Sequence, residues 1–115
     1  MTFEPTQALP LVLITGFILY RYFSFRRVRS AIPELLTKGA VIVDVRTEAE
    51  YNGAHSPGSI NIPLNHFDRR CLELKKETPV ILCCASGTRS GIAAGVLRAK
   101  GFETVLNAGP WTNIP

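Results

Sequence analysis

The stretch that decides the fold is PVILCCASGTRSGIAAGVLRAKG, residues 79–101. Its first part, PVILCC (79–84), is a short and continuous apolar run, which predicts a strand buried on both faces. The small residues ASGT (85–88) predict a tight loop, and RSGIAAGVLRAKG (89–101) predicts a helix that ends at Gly101. A buried strand followed directly by a loop and a helix is typical of a parallel α/β sheet.

The same alternation extends on both sides of this stretch. AVIVDV (40–45) predicts a second buried strand, and Thr47 with Glu50 predicts a capping box for a brief helix. The other predicted elements are a short helix over SAIPELLTKG (30–39) capped by Ser30, a short strand through Ile60 and Ile62, an amphipathic helix over 64–76 and a strand over TVLN (104–107). We therefore expect residues 30–115 to form one α/β domain with a mostly parallel central sheet flanked by helices.

Length and charge limit the classes of protein that the chain can represent. With 115 residues, 46% of them hydrophobic and 19% charged, it allows one small globular domain plus a short appendage. The formal net charge is +4, but residues 1–29 hold four arginines and one glutamate and account for +3 of it. The remaining domain is nearly neutral and has no stripe of Arg and aromatic residues, so we expect no nucleic-acid partner.

Three cysteines, Cys71, Cys83 and Cys84, indicate the redox state of the compartment. They form neither an even disulfide framework nor a Cys-x-x-Cys pair. With only two histidines, which lie far apart in the sequence, they also make a poor zinc set. We therefore expect a reducing compartment and no metal site.

The N-terminal segment is uncharged from Pro5 to Tyr20, PTQALPLVLITGFILY. As a helix it spans about 24 Å, short of the roughly 30 Å hydrocarbon core, but an extension through Phe25 with Arg21 snorkelling reaches that thickness. We expect residues 1–29 to contain one transmembrane helix. Because their arginines follow the apolar stretch, the positive-inside rule places the domain on the cytoplasmic side of the inner membrane.

Two alternatives remain for this N-terminal segment. A cleaved signal peptide normally has a basic start and an Ala-x-Ala-like site, and this segment has Glu4 near its start and no such site. A buried helix of the domain normally has a polar side, whereas residues 9–25 are apolar on all sides. A membrane anchor fits the segment better than either.

A candidate site lies where the strand over 79–84 meets the following helix. Cys84 leaves the strand, and Gly87 allows a sharp turn that curls backbone N–H groups toward one point. These amides, the positive end of the helix dipole and the guanidinium of Arg89 all stabilise negative charge at the sulfur. Such surroundings lower the pKa of a thiol from about 8.5 into a range of roughly 3.5–7.5, which favours a thiolate nucleophile.

Three separated motifs resemble the rhodanese-like sulfurtransferases. They are Asp44-Val45-Arg46, HSPGSINIP (55–63) and Cys84-x-x-Gly-x-Arg-Ser90, followed by Asn107-Ala108-Gly109. Together they extend over residues 30–112 and are most similar to single-domain thiosulfate sulfurtransferases of the bacterial phage-shock type. The resemblance implies that Cys84 takes a sulfane sulfur from a donor such as thiosulfate, holds it as a persulfide and passes it to a thiol or to cyanide. It implies no cofactor.

The same resemblance implies a role for each residue around Cys84. Cys84 is the expected nucleophile and Arg89 the cation that closes the loop, so these two are the expected catalytic residues. The expected substrate-binding residues are Ala85, Ser86, Gly87, Thr88 and Ser90, with Ser90 also a hydroxyl donor to the sulfur. Apart from the resemblance, we expect Asp44 and Arg46 to support the site through hydrogen bonds and a salt bridge that tie down loops. Glu50 is one candidate partner of Arg46, and Asp44 is expected to orient the Cys84 loop from behind.

Two other functions fit some of these residues. Counted from Cys83, the loop reads Cys-x5-Arg-Ser, the spacing of tyrosine phosphatases and arsenate reductases, but Leu82 stands where those enzymes usually have His. Neighbouring strand residues point to opposite faces, so only one cysteine can face the site. We favour Cys84 and expect Cys83 to pack in the core as a small hydrophobic residue. The second alternative, a non-catalytic and membrane-tethered binding module, is disfavoured by the presence of Cys84.

Overall fold

The computed structural model describes residues 4–115. Its elements in chain order are α1 (Pro5–Thr37), β1 (Val41–Asp44), α2 (Glu48–Gly53), β2 (Ile60–Asn61), α3 (Leu64–Arg70), β3 (Val80–Cys84), α4 (Thr88–Ala99) and β4 (Val105–Pro110). A single 3₁₀ turn follows α3 at Cys71–Glu73, and another follows β4 at Trp111–Asn113. Strands β1, β2 and β3 lie on the runs from which strands are predicted, whereas β4 continues past the predicted end at Asn107 to Pro110.

The four strands form one parallel sheet in the order β2-β1-β3-β4. The two central strands, β1 and β3, are the β-branched apolar runs, and they are largely buried because helices cover both faces of the sheet. In a parallel sheet the carboxyl ends of the strands meet at one edge, which brings Asp44, Cys84 and the end of β4 together. The predicted α/β fold with a parallel central sheet is confirmed.

Alternate residues of β3 contribute to two separate core layers, one on each face of the sheet. Val80, Leu82 and Cys84 belong to the layer that α3 and α4 cover. Ile81 and Cys83 belong to the layer that the C-terminal part of α1 covers, together with Trp111 and Ile114 after β4. The neighbouring cysteines therefore lie on opposite faces of the sheet.

The N-terminal segment and the short helix predicted over 30–39 form one continuous helix, so the prediction of a separate start at Ser30 is wrong. Ser30 lies inside α1 and caps no helix of its own. The physical reason is an apolar stripe that includes Val28 and Ile32 and packs on the sheet. This packing holds the helix together through Pro33, where one backbone hydrogen bond is lost.

The first half of α1 stands clear of the domain. Its exposed apolar side chains are Leu9, Leu11, Val12, Leu13, Ile14, Phe17, Ile18, Leu19, Tyr20, Tyr22 and Phe23. Within residues 4–115, α1 is the one helix long and apolar enough to cross a membrane: an 18-residue window has a mean hydropathy of 1.6, and none of it is buried. Membrane spans and signal sequences share these properties.

Local signals account for the ends of the shorter helices. The Thr47 hydroxyl accepts a hydrogen bond from the Glu50 N–H at 3.3 Å, and Glu50 Oε1 accepts one from the Thr47 N–H at 3.3 Å, so the capping box is confirmed. The helix predicted over 64–76 is shorter than expected, because α3 ends at Arg70. Cys71 packs into the core at this point, and the chain turns there toward β3.

Candidate active site

The candidate active site lies at the carboxyl end of β3, where the loop 85–87 leads into α4. Gly87, immediately before α4, has a φ of 107°, a left-handed conformation that favours glycine. A Cβ atom on Gly87 would also lie 3.2 Å from the Cα atom of Gly109, because the loop passes β4 closely. The sharp turn predicted at Gly87 is confirmed, and it directs the backbone N–H groups back toward the end of β3.

Cys84 Sγ is the atom on which this loop converges. The Gly87 N–H donates a hydrogen bond to Sγ at 2.9 Å, and Ser90 Oγ lies 3.3 Å from it. Burial raises the pKa of the Cys84 thiol, but hydrogen bonds from the Ser90 hydroxyl and from the amides of Ser90, Gly87 and Ser86 outweigh this effect. The pKa of Cys84 therefore lies below the ordinary cysteine value, as the sequence predicts.

Asn107 in β4 holds the loop in place. Its Oδ1 accepts hydrogen bonds from the Ser90 hydroxyl at 2.7 Å and from the Gly109 N–H at 3.0 Å, while its Nδ2 donates to the Gly87 carbonyl oxygen at 3.1 Å. A Cβ atom on Gly91 would lie 3.3 Å from the same Nδ2, so α4 packs tightly against this amide. The motifs give Asn107 no separate role, although its place near the end of a predicted strand is a signal for one.

Cys83 faces away from the loop. It is fully buried in the layer that α1 covers, and this burial, followed by the nearby charge of Asp44, raises the pKa of its thiol to about 12. Such a thiol stays protonated at neutral pH and is a poor nucleophile. The geometry therefore favours Cys84 over the alternative that counts the loop from Cys83.

Arg89, in the first turn of α4, is turned toward Glu50 of α2. Its Nη1 and Nη2 donate to Glu50 Oε1 and Oε2 at 2.7 and 3.0 Å, and these hydrogen bonds lower the pKa of Glu50 to about 2. The expected salt bridge between Arg46 and Glu50 is therefore wrong. Arg89 makes no hydrogen bond to Cys84 within residues 4–115, so its charge acts on the sulfur through space and is partly offset by Glu50.

Arg46 pairs with Asp44 at the end of β1. Its Nε and Nη2 donate to the Asp44 carboxylate at 3.0 and 2.8 Å, and both side chains are buried. The Nη2 also donates to the Ala54 carbonyl oxygen at 2.7 Å, and Cζ lies 4.9 Å from the centre of the Trp111 ring. Asp44 thus fixes Arg46 and the segment around α2. In the described part of the chain its carboxylate has no hydrogen bond to the loop after Cys84, contrary to expectation.

The rest of the loop is accessible from solvent. Ala85, Ser86 and Thr88 are exposed, and Ser90 is buried beneath them. Beside the loop, a cavity of about 310 Å³ is lined by Val45, Thr47, Pro63, Leu64, Asn65 and Arg89. This space can receive a small molecule next to Arg89.

Between Glu4 and Pro115, no three His, Cys, Asp or Glu side chains are grouped as the ligands of a metal ion would be.

The protein is thus an α/β domain in which a central parallel strand ends at a cysteine, and the loop after it directs the Gly87 N–H to the sulfur. The profile of the family described as "Rhodanese-like domain" matches residues 29–109. The chain therefore belongs to the rhodanese-like family.

Relatives and solved structures agree with this assignment. YqhL of Bacillus subtilis (strain 168) is 34% identical over 104 residues, 84% of this chain and 82% of YqhL. Thiosulfate sulfurtransferase PspE of Escherichia coli (strain K12) is 36% identical over 69 residues, 58% of this chain and 66% of PspE. The structure of a rhodanese with anions from E. coli has a TM-score of 0.62 at 32% identity, covering 66% of this chain and 94% of that one.

Another relative is longer than this chain. YrkF of Bacillus subtilis (strain 168) is 40% identical over 75 residues, 62% of this chain, but the match spans only 40% of the length of YrkF. The family and its named sulfurtransferases support sulfur transfer as the general activity.

Proposed function

We propose that this protein takes a sulfane sulfur from thiosulfate or a similar donor as a persulfide on Cys84 and transfers it to a thiol or to cyanide. The observation that carries the proposal is the geometry at Sγ, with the Gly87 N–H at 2.9 Å and the Ser90 hydroxyl oxygen at 3.3 Å. These groups stabilise an anionic sulfur at the end of a buried strand. The name of PspE, thiosulfate sulfurtransferase, supports the choice of donor.

The proposed reaction has two displacement steps. In the first, the Cys84 thiolate attacks the outer sulfur of thiosulfate, a new S–S bond forms at Sγ, and sulfite leaves with the electron pair of the broken bond. In the second, an acceptor thiolate or cyanide attacks the outer sulfur of the persulfide, and the electron pair of the Cys84 S–S bond returns to Sγ. Charge is conserved in each step, and no external oxidant is required.

The residues of the loop have distinct parts in this proposal. The amides of Ser86, Gly87 and Ser90 hold the negative charge before and after sulfur uptake, because their positions are fixed by the turn. Arg89 attracts an anionic donor with a charge that Glu50 reduces. The exposed residues Ala85, Ser86 and Thr88 bind the donor. The Ser90 hydroxyl turns from Asn107 Oδ1 to donate a hydrogen bond to the anionic sulfur. The Asp44–Arg46 pair supports the site from β1.

The proposal also includes a location. Residues 1–29 form an anchor in the inner membrane, and residues 30–115 form the catalytic domain on the cytoplasmic side. The exposed apolar half of α1 supports the anchor, and the four arginines that follow it, Arg21, Arg26, Arg27 and Arg29, support this orientation. Three free cysteines are consistent with the reducing cytoplasm.

Intact-protein mass spectrometry after thiosulfate treatment tests the activity. We expect an adduct of about 32 Da, one sulfur atom, that a thiol or cyanide removes. Cys84→Ser should abolish the adduct, and the matched control Cys83→Ser should keep it. The absence of an adduct on the unmodified chain, or its loss in Cys83→Ser, would overturn the proposal. Turnover of a phosphate ester that depends on Cys83 would instead support phosphatase chemistry.

A further inference from the structure

We propose that a cavity between α1 and the active-site loop binds the phosphate headgroup of an anionic membrane phospholipid, with Arg21 as the principal cation. The inference rests on the proposed membrane span of α1. It concerns a cavity that Cys84 does not line, although Ser86 and Thr88, which are proposed to bind the sulfur donor, form part of its wall.

The cavity has a volume of about 450 Å³ and two different walls. Side chains of α1 form one wall, and the loop after Cys84 with the end of β4 forms the other; the residues that matter here are Arg21, Ser24 and Phe25 on the first wall and Ser86, Thr88 and Gly109 on the second. The two walls approach closely, since a Cβ atom on Gly109 would lie 3.9 Å from the Phe25 ring. Cys84 does not line this cavity.

The lining selects an oxyanion. Its residues include Arg21 and the hydroxyl-bearing Ser24, Ser86 and Thr88, and they include no Asp or Glu. Within residues 4–115, Arg21 forms no ion pair; its Cζ lies 5.8 and 5.5 Å from the centres of the Phe17 and Phe25 rings. A guanidinium that has hydroxyls nearby and no carboxylate partner matches the oxygens of a phosphate group.

The size of the cavity favours an organic phosphate over an inorganic ion. A water molecule takes up about 30 Å³, so this cavity, which is open to solvent, has room for much more than a bare oxyanion. Sites for organic molecules commonly measure about 300–1,000 Å³, and the 450 Å³ of this cavity falls in that range.

The position of Arg21 along α1 favours a lipid over a soluble organic phosphate. Phe17, Arg21, Phe25, Val28 and Ile32 follow one another at intervals of three or four residues and so share one face of the helix. Ile32 is buried against the domain, whereas Phe17 is 61% exposed. Arg21 therefore lies where this face passes from the domain to the exposed apolar half. A phospholipid that lies along that half places its acyl chains beside Phe17 and its phosphate beside Arg21.

Native mass spectrometry of the full chain in mild detergent, with added phosphatidylglycerol, tests the proposal. Arg21→Gln should weaken retention of one phosphatidylglycerol molecule by about tenfold or more, because it removes a hydrogen bond between two charged groups. The matched control is Arg26→Gln, which removes the same charge from a different face of α1, where Arg26 contacts the Tyr22 ring and lines a groove with Ser30. This control should retain the lipid, and phosphatidylcholine should bind more weakly in all variants.

Two results would overturn the proposal. Equal loss of lipid in both arginine variants would show general charge attraction instead of a site at Arg21. Displacement of the lipid by millimolar inorganic phosphate or thiosulfate would assign the cavity to a soluble oxyanion. Sulfur uptake by Cys84 in the same variants tests the proposed activity separately. Carbonate extraction of membranes that contain the chain tests the proposed span separately.

Discussion

Ser90 carries one hydroxyl proton and lies between two acceptors. Asn107 Oδ1 accepts this proton at 2.7 Å, and Cys84 Sγ lies 3.3 Å from the same hydroxyl oxygen. While the proton points to Asn107, Ser90 Oγ offers the sulfur only a lone pair, which suits a protonated thiol that donates. The thiolate gains Ser90 as a donor only when the hydroxyl turns away from Asn107. The two protonation states of Cys84 therefore differ in their hydrogen bonds.

The lowered pKa of Cys84 predicts the pH dependence of sulfur uptake. The thiolate is the attacking form, so the rate of adduct formation should fall as the pH drops through the pKa of Cys84. The midpoint should lie below about 8.5, the value of an ordinary cysteine. Rapid-quench mass spectrometry across a pH series measures it. Cys83→Ser should leave the midpoint unchanged, because the pKa of Cys83, about 12, lies above this range.

Removal of the Ser90 hydroxyl should raise the pKa of Cys84. A hydrogen bond to a charged group contributes about 1.5–3 kcal/mol, which corresponds to roughly one to two pKa units, but the competition from Asn107 reduces this gain. We therefore expect Ser90→Ala to move the midpoint of sulfur uptake upward by about one unit or less. Ser86→Ala is the control, since the Ser86 hydroxyl contacts Thr88 Oγ1 and not the sulfur. An equal shift in both variants would contradict this assignment.

At the scale of elements, the junction between β3 and α4 depends on the conformation of Gly87. An alanine there must adopt a φ near 107° and place its Cβ atom 3.2 Å from the Gly109 Cα atom. We expect Gly87→Ala to lower the free energy of unfolding by about 1–3 kcal/mol, measured by urea denaturation. The matched control is Gly95→Ala inside α4, where a Cβ atom meets nothing within 4 Å. This control should be stabilised by about 0.5–1 kcal/mol.

The pair between Arg89 and Glu50 joins α4 to α2 and sets how much positive charge an anionic donor meets. Both side chains are about one-third exposed, so solvent screens their attraction. Arg89→Gln should raise the KM for thiosulfate several-fold, because the cation is lost. Glu50→Gln should lower this KM, because the guanidinium is no longer offset. Steady-state kinetics of the two variants test the prediction, and a raised KM in both would show that Glu50 acts by positioning Arg89.

Predictability differs among the elements for physical reasons. Strands β1 and β3 are predictable because a strand buried on both faces is an apolar β-branched run, and α2 is predictable because its capping box is local. The continuity of α1 is not predictable from the sequence, because the apolar stripe with Val28 and Ile32 stabilises the helix only by packing on the sheet, and that packing is known only from the fold. Partners far apart in the sequence, such as Arg89 with Glu50, also require the fold.

The whole molecule is elongated, with extents of 63 × 29 × 27 Å, because half of α1 stands away from the α/β domain. A charge within that half should prevent membrane insertion without affecting the domain. Leu13→Arg costs about 2.5–3.5 kcal/mol at the centre of a span, and Leu13 is 64% exposed. We expect this variant to move into the soluble fraction with an unchanged Tm. Fractionation and thermal unfolding measure the two effects.

The control for this prediction is Leu72→Arg, which adds the same charge at a position that is 71% exposed on the domain. It should leave the chain in the membrane fraction. Retention of Leu13→Arg in that fraction after carbonate treatment would contradict the proposed span.

The absence of a joint in α1 has a mechanical consequence. The helix runs without a break from Pro5 to Thr37, and at about 1.5 Å per residue it forms a rod of roughly 50 Å. Because Val28 and Ile32 of this helix pack on the sheet, the orientation of the domain follows that of α1. With the rod seated in a bilayer, the active-site loop stays at one distance from the lipid and in one orientation.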